Sequence, residues 1–271
     1  MAKTILITGA TDGIGLETAR LLVAAGHTVL LHGRSATKLA AVEATLAALP
    51  GAGAVETCLA DLSNLDDVDA LADAVIARHP RLDVLINNAG VFRTPDPLTA
   101  DGMDVRFVVN TLAPYRLTQR LLPLFGPGGR IVNLSSAAQA PVDIAALTGG
   151  ATLDPGNAYA QSKLALTLWS QHLAQSLGAD GPVVVAVNPG SLLASKMVRE
   201  GYGIPGKDIG IGADILVRAA LADEFATASG RYFDNDSGRF ADPHRDAQDP
   251  LKVAAVVGAI ETCLAAARPN S

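Results

Sequence analysis

Tyr159 and Lys163 stand four residues apart in the stretch 158–177, whose Ala/Leu-rich spacing is helical, so their side chains share one helix face. A phenol with an ordinary pKa near ~10 moves protons poorly at neutral pH unless its phenolate is stabilised. A neighbouring ammonium does this. Such pairs also occur on solvated helix surfaces, so the pair needs support elsewhere in the chain. Ser135 and Ser136 follow the apolar run Arg130-Ile-Val-Asn-Leu134, which reads as a strand. A hydroxyl at the carboxyl end of such a strand lies where ligands of doubly wound sheets bind. Phenol, ammonium and hydroxyl together suit proton exchange with a substrate oxygen.

A second group of residues suits a phosphate. Thr4-Ile-Leu-Ile-Thr8 leads directly into Gly9-Ala10-Thr11-Asp12-Gly13-Ile14-Gly15 and then into a helix-forming stretch. Glycines let a backbone approach a pyrophosphate, and the unpaired N–H groups of a helix start favour the anion. Gly9, Thr11, Asp12, Gly13, Ile14 and Gly15 are therefore candidate dinucleotide contacts. The second strand ends in His32-Gly33-Arg34-Ser35. An acidic residue there selects NAD through the ribose hydroxyls, whereas an arginine can pair with a 2′-phosphate. Gly33 stands where the acid would be and Arg34 follows, so NADP(H) is expected, with NAD(H) the alternative.

Short apolar runs at 4–8, 28–32, 55–59, 84–87, 130–134 and 183–188 read as strands covered on both faces. Helical stretches at 14–25, 36–49, 65–78, 103–124 and 158–177 alternate with them. This pattern predicts an α/β Rossmann fold, a doubly wound parallel sheet of about seven strands with helices on both faces. One domain is expected over residues 1–271. A Gly-rich substrate loop region falls at about 189–212, a last strand near 230–233, a polar turn-rich stretch at 234–250 and a terminal helix at about 251–267.

Three further segments occur in order: Asn87-Asn88-Ala89-Gly90, Ser135-Ser136 and Tyr159-Ala-Gln-Ser-Lys163. With the turn T-G-x-x-x-G-I-G, they resemble the short-chain dehydrogenase/reductase family over residues 3 to about 233. The long interval from Ser136 to Tyr159 and the run Tyr159-Ala-Gln-Ser-Lys163-Leu-Ala are similar to the retinol-dehydrogenase-like branch. The resemblance implies an NAD(P)-dependent oxidoreductase acting on CH–OH or C=O groups, with a small to medium apolar aldehyde or ketone as substrate. It implies a catalytic set of Asn110, Ser136, Tyr159 and Lys163. Ser136 or its neighbour Ser135 would polarise the substrate oxygen, Tyr159 would carry the proton, Lys163 would bind the nicotinamide ribose, and Asn110 would hold a relay water. Asp61 and Leu62 would border the adenine, although Asp61 also suits a helix cap. Asn88, Ala89, Gly90, Pro189 and Gly190 would line the cofactor, and Ser195 or Ser191 would replace the family's missing threonine at the nicotinamide amide. Members are commonly dimers or tetramers, so a homodimer or homotetramer is expected.

The bulk numbers exclude other classes. Hydrophobic residues are 49% and charged residues 18%, which leaves material for a large core. A net charge of −6 argues against a nucleic-acid or anionic-membrane partner. Cys58 and Cys263 form no C-x-x-C pair, which suits a reducing, cytoplasmic setting. No run suits a signal-peptide core or a membrane span. The five histidines show no metal spacing, and Asp234-Asn-Asp-Ser-Gly238 fails as a calcium loop because Arg245 stands where its closing Glu belongs. No metal is expected, and Trp169 reads as packing. Competing readings are an NAD-dependent alcohol dehydrogenase and a dinucleotide sensor without catalysis; a sensor would need the glycine turn but not the four catalytic residues. Replacing Arg34→Ala should weaken NADPH binding far more than NADH binding in fluorescence titrations; an equal effect on both would remove the basis for preferring NADP(H).

Overall fold

Ile5, Leu6 and Ile7 are all fully buried but do not share one core, since Ile5 and Ile7 pack in one apolar layer and Leu6 in the other. Side chains alternate across a strand, so a run apolar at every position must be covered on both faces. Leu30 and Leu85 divide from their strand neighbours in the same way. Each such burial contributes roughly 1.5–3 kcal/mol.

The computed structural model describes residues 1–194, 198–199, 201 and 203–267. Within these, β1 (Thr4–Ile7), β2 (Thr28–Gly33), β3 (Val55–Leu59), β4 (Val84–Asn87), β5 (Arg130–Leu134), β6 (Val183–Asn188), β7 (Tyr232–Asp234) and β8 (Arg239–Ala241) form one sheet. Its order is β3-β2-β1-β4-β5-β6-β7-β8. Neighbouring strands are parallel from β3 through β7, and β8 returns antiparallel to β7. The Rossmann fold expected from the alternation is present, with one strand more than the seven anticipated. Residues 239–241 sit in a polar stretch with no apolar run. Only tertiary packing makes them a strand: Phe240 meets Phe225 and Phe233 at ring-centroid distances of 5.3 and 5.1 Å.

The helices are α1 (Gly13–Ala24), α2 (Ala36–Ala47), α3 (Leu65–Arg78), α4 (105–121), α5 (Ile144–Leu147), α6 (Pro155–Leu177), α7 (Gly210–Leu221) and α8 (Pro250–Ala266). One face of the sheet carries α1, α2 and α7, and the other carries α3, α4, α6 and α8. α6 begins earlier than its apolar spacing indicates. The Asp154 carboxylate accepts from the N–H groups of Gly156 and Asn157, and Pro155 takes the first helical position. α4 contains a π-helical turn at Val108–Leu112, and this turn carries Asn110. Trp169 on α6 is fully buried and meets Tyr115 edge-on at 5.4 Å, the packing role expected of it. Among the described residues, no helix is long and apolar enough to cross a membrane.

The tightest joint lies where β1 turns into α1. A Cβ on Gly15 would lie 2.4 Å from both the Asn88 side-chain nitrogen and the Gly9 carbonyl oxygen. Backbone cannot yield there cheaply. Gly15→Ala should therefore lower Tm by roughly 3–8 °C despite alanine's better helix propensity. Gly258→Ala, exposed in α8 with open space around it, should leave Tm level or slightly raised. Thermal unfolding of the two variants checks both.

Candidate active site

The glycine turn is held open by side chains that serve its backbone. Gly9 and Gly13 take φ values of +67° and +59°, which a residue with a Cβ adopts rarely. The Asn88 amide donates to the carbonyls of Thr8 (2.8 Å) and Gly9 (3.1 Å), while the Thr8 hydroxyl accepts from the N–H groups of Asn88 and Ala89. Asn88 thus braces the turn through its side chain. Ala89 lies directly beneath Gly9, 2.9 Å from where a Cβ would stand. Asp12 caps α1 by accepting from Gly13 N–H at 2.7 Å. The N–H groups of Ile14 and Gly15 belong to the same first turn, which has no i−4 carbonyl to use. A turn that a Cβ would obstruct, ending on a helix N-terminus, fits a pyrophosphate.

His32 was not anticipated as part of this site. Its Nδ1 accepts from Gly9 N–H at 3.2 Å, and its Nε2 lies 3.1 Å from the Ala60 carbonyl. Gly9 N–H only donates and Ala60 O only accepts, so the ring is neutral with its proton on Nε2. Burial lowers its pKa to about 4. The imidazole therefore ties the turn to the end of β3. No signal in the sequence points to this, because Gly9 and Ala60 meet His32 only through strand pairing. Gly33 packs under the turn, with Thr11 Cγ2 only 2.6 Å from a Cβ placed there, and Arg34 is exposed beside it.

Asp61 does not cap α3. That helix starts at Leu65 and is capped by Asn64, which accepts from Asp66 N–H at 2.9 Å. Asp61 instead closes its own turn by accepting from the backbone and hydroxyl of Ser63. An Asx turn and a helix cap share the same local pattern, which is why sequence could not separate them. Leu62 is buried in the core.

The ionisable centre lies at the ends of β4 and β5. Lys163 is buried, and its ammonium donates to the Leu134 carbonyl at 2.7 Å. Desolvation lowers its pKa to about 8. Its nitrogen and Asn110 Oδ1 each lie 3.4 Å from where a Cβ on Gly90 would project, so the two polar groups meet over Gly90. Asn110 satisfies both backbone groups of Val91, accepting at 2.8 Å and donating at 3.0 Å, and also donates to Ser162 Oγ at 2.9 Å. Ser162 in turn donates to the Tyr159 carbonyl at 2.7 Å. The Tyr159 ring is half-buried, 5.8 Å from the Lys163 nitrogen and 5.2 Å from the Phe92 ring. Asn110 and Lys163 thus meet over Gly90, and the Tyr159 ring stands beside the same ammonium.

The two serines divide by strand alternation. Ser135 is buried, with its hydroxyl 2.7 Å from that of Thr167 on α6. Thr167 donates its own proton to the Lys163 carbonyl, so Ser135 donates to Thr167. Ser136 is half-buried with its oxygen accepting only from Ala138 N–H at 3.1 Å among the hydrogen bonds described. Its carbonyl is gripped from behind by the Gln139 amide (2.9 Å) and the Tyr232 hydroxyl (3.1 Å). A proton donor hydroxyl on this edge is therefore available from Ser136 and not from Ser135.

Two loops border the centre. The buried pair Asp104–Arg106 sits at the start of α4, and Arg106 reaches the Phe92 carbonyl at 3.5 Å. This anchors the segment that places Phe92 against Tyr159. On the other side, Pro189, Gly190 and Ser191 leave the end of β6, with Gly190 at φ +120°. Ser191 donates its hydroxyl proton to Asp236. Ser195 lies outside the described residues.

A parallel sheet ordered in this way, with an anion cradle after β1 and a phenol–ammonium pair at the ends of β4 and β5, defines a dinucleotide-dependent oxidoreductase. Residues 3–202 match the family model of the short chain dehydrogenases, and the chain belongs to that family. It is 34% identical over 254 residues to retinol dehydrogenase 12 of Bos taurus, covering 89% of this chain and 80% of the relative. Among solved structures, an uncharacterized protein from Mycobacterium Paratuberculosis matches at 31% identity and TM-score 0.78, over 96% of this chain and 92% of that one. The landomycin C-6 ketoreductase LanV, solved with NADP and rabelomycin, matches at 31% identity and TM-score 0.68, over 87% and 95%. The chain lies in the retinol-dehydrogenase-like branch and is an oxidoreductase that uses a nicotinamide dinucleotide on alcohol or carbonyl groups.

The buried ammonium gives a test that needs no substrate. The unfolded chain keeps the Lys163 proton to an ordinary pKa of 10.5, whereas the folded chain releases it above about 8. Between these values the unfolded state binds more protons, so this group's contribution makes the fold more stable as pH rises. Denaturant unfolding of cofactor-free protein should show stability climbing from pH 8 to 10 relative to Lys163→Met. Parallel pH profiles for the two would contradict the buried, depressed lysine.

Proposed function

We propose that this protein is an NADP(H)-dependent reductase of small to medium apolar aldehydes or ketones, which also runs the reverse oxidation. The observation that carries the reading is the meeting of Lys163 and Asn110 over Gly90 with the Tyr159 ring beside the Lys163 ammonium, and the Ser136 hydroxyl on the same sheet edge. Bound NADPH supplies the hydride. Ser136 and Tyr159 hold the substrate oxygen, and Tyr159 donates the proton to it. Lys163 keeps positive charge beside the phenol and so lowers the cost of its phenolate. Asn110 fixes Val91 and, through Ser162, the first part of α6, which keeps the three groups in register. These residues supply position and electrostatics rather than covalent chemistry.

The preference for NADP(H) rests on Gly33 and Arg34. A Cβ at position 33 would stand 2.6 Å from Thr11 Cγ2, so the acid that favours NAD would need the Thr11 side chain to move, while Arg34 is exposed to meet a 2′-phosphate. The bound NADP of the similar ketoreductase supports the same choice. Gly9, Gly13, Ile14 and Gly15 would receive the pyrophosphate, Asp61 and Leu62 the adenine, Ala89 and Gly90 the middle of the cofactor, and Pro189 and Gly190 the nicotinamide side. An apolar substrate is favoured by Phe92, which walls the centre beside Tyr159.

NADPH oxidation with a panel of aldehydes and ketones tests this. Tyr159→Phe should bind NADPH as the native protein does and lose at least about 10²-fold in turnover. If native protein and variant both bind NADPH and neither reduces any carbonyl, the catalytic reading falls.

A further inference from the structure

The turn Asp234-Asn235-Asp236-Ser237-Gly238 joins β7 to β8, has the look of an ion loop, and binds something else. Its polar groups converge on the backbone that leaves β6. Asn235 N–H donates to the Asn188 carbonyl at 3.1 Å, and the Asn235 amide donates to the Pro189 carbonyl at 3.0 Å. The Asn188 amide donates to Asp234 at 2.8 Å and to Asp236 at 2.9 Å. Asp236 then takes Ser191 twice: Oδ1 accepts from its N–H at 2.9 Å and Oδ2 from its hydroxyl at 2.5 Å. Lys207 stands 3.9 Å from the same carboxylate.

The gripped segment follows an unusual path. Gly190 has φ +120°, and Leu192 has φ +57°, a left-handed conformation that a leucine adopts only when its surroundings impose it. Among the described residues, Leu192 is the only non-glycine with positive φ. A backbone so bent at the ligand edge of the sheet needs an external hold, and the carboxylate of Asp236 supplies the most bonds of any side chain in the turn. A serine hydroxyl whose proton is committed to a carboxylate also offers only lone pairs to anything else, so Ser191 is set as an acceptor.

We propose that Asp236 is a positioning residue for the nicotinamide half of the bound cofactor. It touches no reacting atom; it fixes the shape of residues 188–191 and, through them, the placement of the ring. Hydride transfer is sensitive to such placement, since an error of ~1 Å can cost about 10²-fold in rate. This inference rests on the cofactor reading above, with Pro189 and Gly190 at the nicotinamide side.

The test separates the two halves of the cofactor. Calorimetric titration compares NADPH with 2′,5′-ADP, which carries the adenosine and 2′-phosphate but no nicotinamide. Asp236→Ala should weaken NADPH by roughly tenfold or more and leave 2′,5′-ADP within about twofold. The rise in NADPH fluorescence on binding should shrink in parallel, and kcat should fall more than KM changes. Asp236→Asn, which keeps one acceptor oxygen, should lie between native and alanine. Asn235→Ala, which frees the Pro189 carbonyl and leaves the carboxylate, should show the same selective loss in milder form. Equal weakening of both ligands, or none of either, overturns the proposal while leaving the cofactor reading intact. Native protein that binds neither ligand overturns the cofactor reading and this inference with it. Loss of cooperative unfolding in all three variants assigns the turn to folding alone and also overturns it.

Discussion

The ammonium of Lys163 is the constraint on which the site depends. A charge this deeply buried is costly unless it is hydrogen-bonded, and it meets the Leu134 carbonyl at the last residue of β5. That bond pins the middle of α6 to the sheet edge. Tyr159, one turn earlier, stands with its ring 5.8 Å from that ammonium, and Asn110 and Lys163 both border the space over Gly90. Depression of the lysine pKa to about 8 follows from the same burial, so structural anchorage and proton chemistry share one cause.

Around this point, polar side chains complete backbone segments that leave the sheet. The carboxyl edge of a parallel sheet ends in peptide groups with no further strand to pair with, and buried ones must find partners. His32 and Asn88 serve the glycine turn, Asn110 serves Val91, and Gln139 and Tyr232 serve Ser136. Asp234, Asn235 and Asp236 serve residues 188–191. Loops that are otherwise irregular are thus given one shape each. That shape, more than the identity of the loop residues, is what a long dinucleotide requires along its whole length.

The apolar side of the site is built by a different device. Asp104 and Arg106 form a buried bidentate pair, which fixes the start of α4 and the carbonyl of Phe92. Removing one partner would leave the other charge buried and unpaired, so the pair acts as a rigid corner rather than as a large net contribution to stability. From that corner Phe92 faces Tyr159, and a Cβ on Gly201 would lie 2.8 Å from its ring.

Much of this was legible in residue order. The strand–glycine–helix junction after β1, the alternation of apolar runs, and the four-residue spacing of Tyr159 and Lys163 are local patterns that local sterics and periodicity decide, whereas Asn88 and Ser136 were picked out by the resemblance to the family. Tertiary structure decided what local pattern leaves degenerate. Ser135 and Ser136 are adjacent and identical in chemistry, and only strand alternation against Thr167 turns one inward. Asp61 suits a helix cap or an Asx turn until Asn64 is seen to start α3. His32 carries no motif and Asp236 sits in one that suggests calcium, because their partners Gly9, Ala60, Asn188 and Ser191 are far away in sequence and reach them only through strand pairing in the sheet. β8 has no apolar run of its own and exists because Phe240 finds two rings to pack against. Residue types and spacing therefore determined the fold class, and together with the family resemblance they pointed to the chemistry. The sheet decided which hydroxyl faces the site and which side chains hold its loops, since those choices depend on contacts between residues that sequence separates.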